Sequence, residues 1–151
     1  MFVNPAIPNA ADFYTFVTNQ GVPTADLPST SDYLTWALAY AENTALVSPP
    51  GMPAIVYVLA VYNLGTHHLL KVAQDLAGQT FFTTARQQFG MLTFTAGPVV
   101  SSSDVTTSES LLSADWMANM PLQALGLLKT PYGIAYLEYA QMYGSNIVGV
   151  S

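Results

Sequence analysis

The spacing of apolar side chains predicts a chain built mainly from helices. Phe13, Phe16 and Val17 repeat at i, i+3, i+4, the stripe of a helix lying on a core. Asn9 stands where an N-cap belongs, Asp12 near the third helical position, and Gly21 supplies a left-handed stop. After a loop rich in Pro, Thr and Asp, Ser29 and Asp32 have capping-box spacing, with Asp in place of Glu. Tyr33, Trp36, Ala37 and Tyr40 then give a second helical period, which fades near Leu46. Ser48-Pro49-Pro50-Gly51 breaks the chain and prepares the next start.

The third segment, about 52–76, is apolar on every side as far as Tyr62, the pattern of a helix at the centre of a bundle. β-branched residues crowd 55–61 and would also suit a strand; the length of the whole segment decides for helix. In its far half Asn63, His67, Lys71 and Gln74 share one face, read here as the solvent face. Thr80 to Gln88 predicts a short helix with Phe81, Phe82, Ala85 and Phe89 inward, closed by Gly90.

The character then changes. Residues 91–110 are rich in Thr, Ser and Val, with a Gly97-Pro98 turn signal and little apolar anchoring, which predicts an extended loop or weak β-hairpin. Short apolar patches interrupted by Pro121 predict one or two brief helices over 111–128. Thr130-Pro131 opens a last helix with a cap and a first-turn proline, and Gly144 closes it. On that helix Tyr132, Tyr136, Tyr139 and Tyr143 fall on one face, suited either to a half-buried core face or to a subunit interface. The fold class expected is therefore mainly α: a helical bundle in one domain, 1–151, with a long extended loop before the C-terminal helix and a tail at 145–151.

Composition sharpens this picture. Charged residues form 8% of the 151 and apolar residues 51%, against roughly 25% charged in an average domain. A surface so short of charge is expected to be covered largely by other chains, the alternative being a polar, uncharged, monomeric surface. The net charge is −6, and Lys71, Arg86 and Lys129 are the whole supply of strong bases. Three scattered cations cannot neutralise the phosphates that a nucleic-acid binder must grip, although passive contact with DNA is compatible with them. There is no cysteine, which excludes disulfides and thiolate metal sites. The first eleven residues lack the basic start and apolar core of a signal peptide, and the longest apolar run, 54–62, is short of a bilayer span.

Candidate chemistry is sparse. His67 and His68 are adjacent, so they point about 100° apart on a helix, and no acidic or histidine partner lies four residues away; both are read as helix-surface residues with no metal. Gly-x-Ser-x-Gly, phosphate-loop and dinucleotide motifs are missing. No catalytic residue and no cofactor is expected. The stretch Val99-Val100-Ser101-Ser102-Ser103-Asp104-Val105-Thr106-Thr107-Ser108-Glu109 is long for a loop inside a domain, and its β propensity suits either a mobile surface loop or strand addition to a neighbouring subunit.

That stretch is followed by Leu111-Leu112-Ser113-Ala114-Asp115-Trp116-Met117 and by Leu128-Lys129-Thr130-Pro131-Tyr132-Gly133-Ile134-Ala135-Tyr136-Leu137. In this order, after an Asp/Phe-rich helix, a Trp-containing helix and an apolar helix, the chain resembles the head–tail adaptor (connector) proteins of tailed bacteriophages. The resemblance implies a ring, commonly of twelve copies, in the virion neck between the portal protein and the tail or nozzle protein. DNA passes through such a ring without specific binding, and the subunit is made in the host cytoplasm. It implies no enzymatic activity, no cofactor and no membrane. It assigns subunit contact to Val99–Glu109 and portal docking to the tail Ser145-Asn146-Ile147-Val148-Gly149-Val150-Ser151. The chain departs from the expected pattern in its scarcity of Lys and Arg, which favours apolar and backbone contacts over electrostatic docking. Two alternatives stand beside this reading: a small-molecule binding bundle that uses the apolar third helix and the tyrosines as a pocket, and a hydrolase with an unrecognised site.

Overall fold

A computed structural model describes residues 2–45, 52–91 and 126–143. Five helices are formed by them: α1 (Ala10–Asn19), α2 (Asp32–Thr44), α3 (Ala54–Val72), α4 (Phe81–Gln88) and α5 (Pro131–Tyr143). The molecule is mainly helical, as the periodicity predicts. The loop over 92–110, the brief helices before 126, Gly144 and the tail lie outside the described residues.

Each helix end has an identifiable cause. Asn9 caps α1 by accepting from the Asp12 N–H at 2.9 Å, and the Asp12 carboxylate accepts in return from Asn9 Nδ2 at 2.9 Å. The same carboxylate accepts from the backbone N–H groups of Val3 and Asn4, which folds the N-terminal segment over the start of α1. Gly21 then adopts φ 107°, a conformation open to glycine. Ser31, not Ser29, caps α2, accepting from the Tyr33 N–H at 3.2 Å. The helix starts later than the capping-box spacing suggests because the backbone over 28–31 closes a turn, Ser31 N–H to Pro28 O.

The helix α4 has no cap from Thr80. Asp75 does that work from a distance, accepting from the N–H groups of Phe82 (2.7 Å) and Thr83 (3.0 Å) and from the Thr83 hydroxyl. At its other end Gly90 takes φ 67°, while Met91 N–H reaches Arg86 O and Gly90 N–H reaches Gln87 O, a paired closure of the last carbonyls. Arg86 crosses to α3 and donates to the carbonyls of Leu70 and Ala73, placing a positive charge at the negative end of that helix.

The central element is α3, which packs against all four other helices. Its apolar character on every side follows from that position. Val58, Val61, Tyr62, Leu64, Leu69 and Leu70 are buried along it. Tyr62 is the hub of an aromatic cluster, with ring centroids 5.6 Å from Phe2 and Phe13 and 5.8 Å from Phe16. Its hydroxyl accepts from the Asn9 N–H at 3.1 Å, so the buried phenol is satisfied by the cap of α1. Phe13 and α3 meet at Gly65, where an added Cβ would lie 2.9 Å from the phenyl ring.

Packing fixes the inward face of α2 and corrects one reading of a helix face, on α3. On α2 the inward stripe is Leu34, Ala37, Leu38 and Ala41, while Trp36 is 58% exposed and Tyr33 and Tyr40 are half-buried at the rim. The aromatics share the period of the core residues but sit about one position away, and Trp36 packs edge-on against Tyr33 instead (5.5 Å). On α3 the supposed solvent face is divided. Lys71 and Gln74 are exposed, whereas Asn63 and His67 are buried, and the cap of α5 meets His67.

Candidate functional site

Three features have the chemistry or exposure of a functional surface: a buried His–Thr contact, a cleft at one end of the bundle, and a set of large apolar side chains in the open.

The contact joins α3 to α5. His67 Nδ1 lies 2.7 Å from Thr130 Oγ1, and that oxygen accepts from the Gly133 N–H at 3.0 Å. Thr130 is thus the N-cap of α5, as Thr130-Pro131 predicts. With its oxygen engaged by Gly133, the hydroxyl hydrogen is available to an unprotonated Nδ1, which places the ring proton of His67 on Nε2. Burial, reinforced by Lys71 and His68, lowers His67 to about 4, so the ring is neutral near pH 7. The pair contains a hydroxyl and a base, but Thr130 is buried and serves the helix end, so no open nucleophile results. His68, half-buried, stacks on Tyr40 of α2 at 3.9 Å and 10°. The expectation that both histidines sit on the helix surface is therefore wrong for His67. Among the described residues no group of three His, Asp or Glu is placed to hold a metal.

The cleft, about 600 Å³, opens between the α1–α2 loop, the α3–α4 turn, α4 and the start of α5. Gln20, Gln79, Thr84 and Gln88 supply uncharged polar groups, and Phe81, Phe89 and Tyr132 supply aromatic walls. Burial pushes the Tyr132 hydroxyl up from its usual range. Among the described residues the lining carries no charged side chain.

The predicted tyrosine stripe divides. Tyr136 is fully buried and belongs to the core, Tyr132 and Tyr139 are half-buried, and Tyr143 is exposed at the end of α5. The inward stripe of that helix is Gly133, Tyr136, Leu137 and Ala140. Its outer face presents Ile134 and Met142, the latter 68% exposed, alongside Tyr143. Val3 and Ile7 on the N-terminal segment, Trp36 on α2 and Ile55 on α3 are likewise open. Both sets of residues assigned by resemblance, 99–109 and 145–151, fall outside the described residues.

Comparison with protein-family models, curated proteins and solved structures gave no match.

The basic residues complete the surface. Arg86 donates to α3 carbonyls, and Lys129 Nζ donates to Gly90 O at 2.9 Å. Two of the three strong bases are thus engaged with backbone oxygens of the fold, and Lys71 is exposed. Sequence reading found the cap at Thr130 but not its histidine, because the partners are 63 residues apart. The cleft carried no sequence signal, since its walls come from four separate elements.

Proposed function

We propose that this chain is a structural subunit of a ring in the neck of a tailed bacteriophage, joining the portal to the tail and letting DNA pass. The observation that carries the reading is the pairing of large apolar side chains in the open with a near-absence of outward basic charge. Apolar residues such as Trp36, Ile134 and Met142 suit contact with other chains. A surface whose cations are few and partly engaged within the fold gives sliding DNA little to adhere to. The order of sequence segments supports the same reading, with 99–109 reaching a neighbouring subunit and 145–151 docking into the portal.

Native mass measurement, alone and with a portal protein, tests it. A discrete large oligomer, formed by the chain or upon the portal, is expected. Deleting residues 99–109 should abolish that assembly and leave helical circular dichroism intact. A species of 16.2 kDa that stays monomeric beside the portal would sink the proposal. The uncharged cleft favours a second reading, a bundle that binds a small neutral molecule. Its mark would be a ligand-induced rise in Tm that Tyr132→Ala removes.

A further inference from the structure

Behind the cleft two carboxyl groups meet, one of them deeply buried. Asp26, in the α1–α2 loop, is 2% exposed. Its Oδ1 accepts from the Leu76 N–H at 2.7 Å, 50 residues along the chain. Its Oδ2 is buried and finds no N–H or O–H donor among the described residues. The carboxyl of Asp75, next to Leu76, lies within hydrogen-bonding reach of the Asp26 carboxyl, and the Phe81 backbone contributes a weaker contact. Asp75 is itself engaged on both oxygens by the start of α4.

A buried carboxylate oxygen without a donor is costly, and two carboxylates in contact repel. A proton between them removes both penalties at once. We infer that Asp26 and Asp75 share a single proton, and that this acid–carboxylate bond is a pH-sensitive latch holding together the two walls of the cleft. One wall is the turn Val22–Asp26, closed by Asp26 N–H to Pro23 O, and the other is the α3–α4 turn, closed by Gln79 N–H to Leu76 O. Both walls line the cleft through Val22, Pro23, Gly78 and Gln79.

The proton resides on Asp26. Three donors from α4 favour a charged Asp75, whereas Asp26 has one short backbone bond, from Leu76, a weaker backbone contact from Phe81, and greater burial. Burial and the neighbouring carboxyl raise Asp26 above the ordinary carboxylate range. At Asp75 burial works in the same upward sense, but the hydrogen bonds from Asp26, Thr83 and Phe82 outweigh it and hold the group at about 2. The charged groups on the surrounding elements do not replace the proton. Arg86 of α4 is engaged with Leu70 and Ala73 carbonyls, and Lys71 of α3 is exposed. A divalent cation is a poorer occupant, because backbone N–H groups already point at three of the four carboxyl oxygens and would repel it.

The latch closes while Asp26 keeps its proton and opens as pH rises through its raised value. Carbon-detected NMR of the aspartate carboxyls in the intact wild-type chain reads this directly. One aspartate should keep its proton above the ordinary carboxylate value while a second stays ionised to lower pH, and loss of the proton should move the amide signals of Val22 and Gln79 together. Asp26→Asn, whose amide supplies a permanent donor to Asp75, should remove the high titration and the coupled shifts while the helical spectrum persists. Two aspartates titrating at ordinary values in the wild type would overturn the latch. So would a rise in Tm with added calcium that Asp26→Asn abolishes, which would put a metal where the proton is placed.

Discussion

At the scale of single residues, the buried polar groups of this chain are located by the hydrogen bonds they satisfy. His67 is the clearest case. Burial lowers its folded value to about 4, while an unfolded histidine titrates near 6.5. Between those values the unfolded chain binds the proton and the folded chain does not. Stability is therefore full above about pH 6.5 and falls as pH drops toward 4, by up to about 3 kcal/mol. Asp26 acts in the opposite direction above pH 4, so the two must be separated by substitution. His67→Asn keeps an acceptor for the Thr130 hydroxyl but cannot take a proton. It should show a pH-independent loss from its smaller volume and a flatter Tm against pH between 4 and 6.5 than the wild type. An equally steep profile would mean that His67 is not the titrating group. Thr130→Ala removes the cap of α5 and strands Nδ1, for a loss of about 2 kcal/mol in urea unfolding, whereas Thr130→Ser should retain most of the stability.

The elements were largely legible in the sequence, and the exceptions have physical causes. Helices α1, α4 and α5 were announced by local signals: Asn9 with Asp12, Gly90 after Phe89, and Thr130-Pro131. Caps act over a few residues, so a sequence displays them. The inward face of α2 was not so readable, because Trp36 and Leu34 are equally apolar and only packing against α3 selects between them. The buried polar stretch of α3 was misread for the complementary reason. Asn63 and His67 look solvated until α5 arrives from beyond residue 130 to cover part of that helix and supply a hydroxyl. Close approaches between elements are equally silent in the sequence. A Cβ at Gly133 would stand 2.0 Å from the backbone oxygen of Leu127, which cannot yield as a side chain can. At Gly65 the obstacle is the Phe13 ring, at 2.9 Å. Alanine favours a helix interior over glycine by about 1 kcal/mol, yet both replacements should destabilise. The loss expected in thermal unfolding is about 1–3 kcal/mol at Gly65 and larger at Gly133. A stabilising Gly133→Ala would rule out this close approach between the start of α5 and Leu127.

The whole molecule combines a core organised around one helix with an exterior that is apolar in places and weakly charged. Trp36 on α2 and Met142 on α5 are on different helices, and neither is needed to complete the core. Their replacement therefore separates folding from association. A lysine at either position adds charge where solvent already reaches the side chain, so unfolding free energy should change by no more than about 0.5 kcal/mol at Met142 and by about 1 kcal/mol at Trp36, whose ring packs against Tyr33. If these surfaces meet other subunits in a ring, the same lysine must be desolvated on assembly without an arranged partner, a cost of several kcal/mol repeated in every copy. Trp36→Lys and Met142→Lys should then sediment as monomers under conditions where the wild type assembles alone or on a portal, with unchanged helical circular dichroism. Assembly that survives both substitutions would remove these faces from the subunit contact and leave residues 99–109 and 145–151 to supply it. A drop in Tm without any change in assembly would instead assign the two side chains to the packing of the single chain.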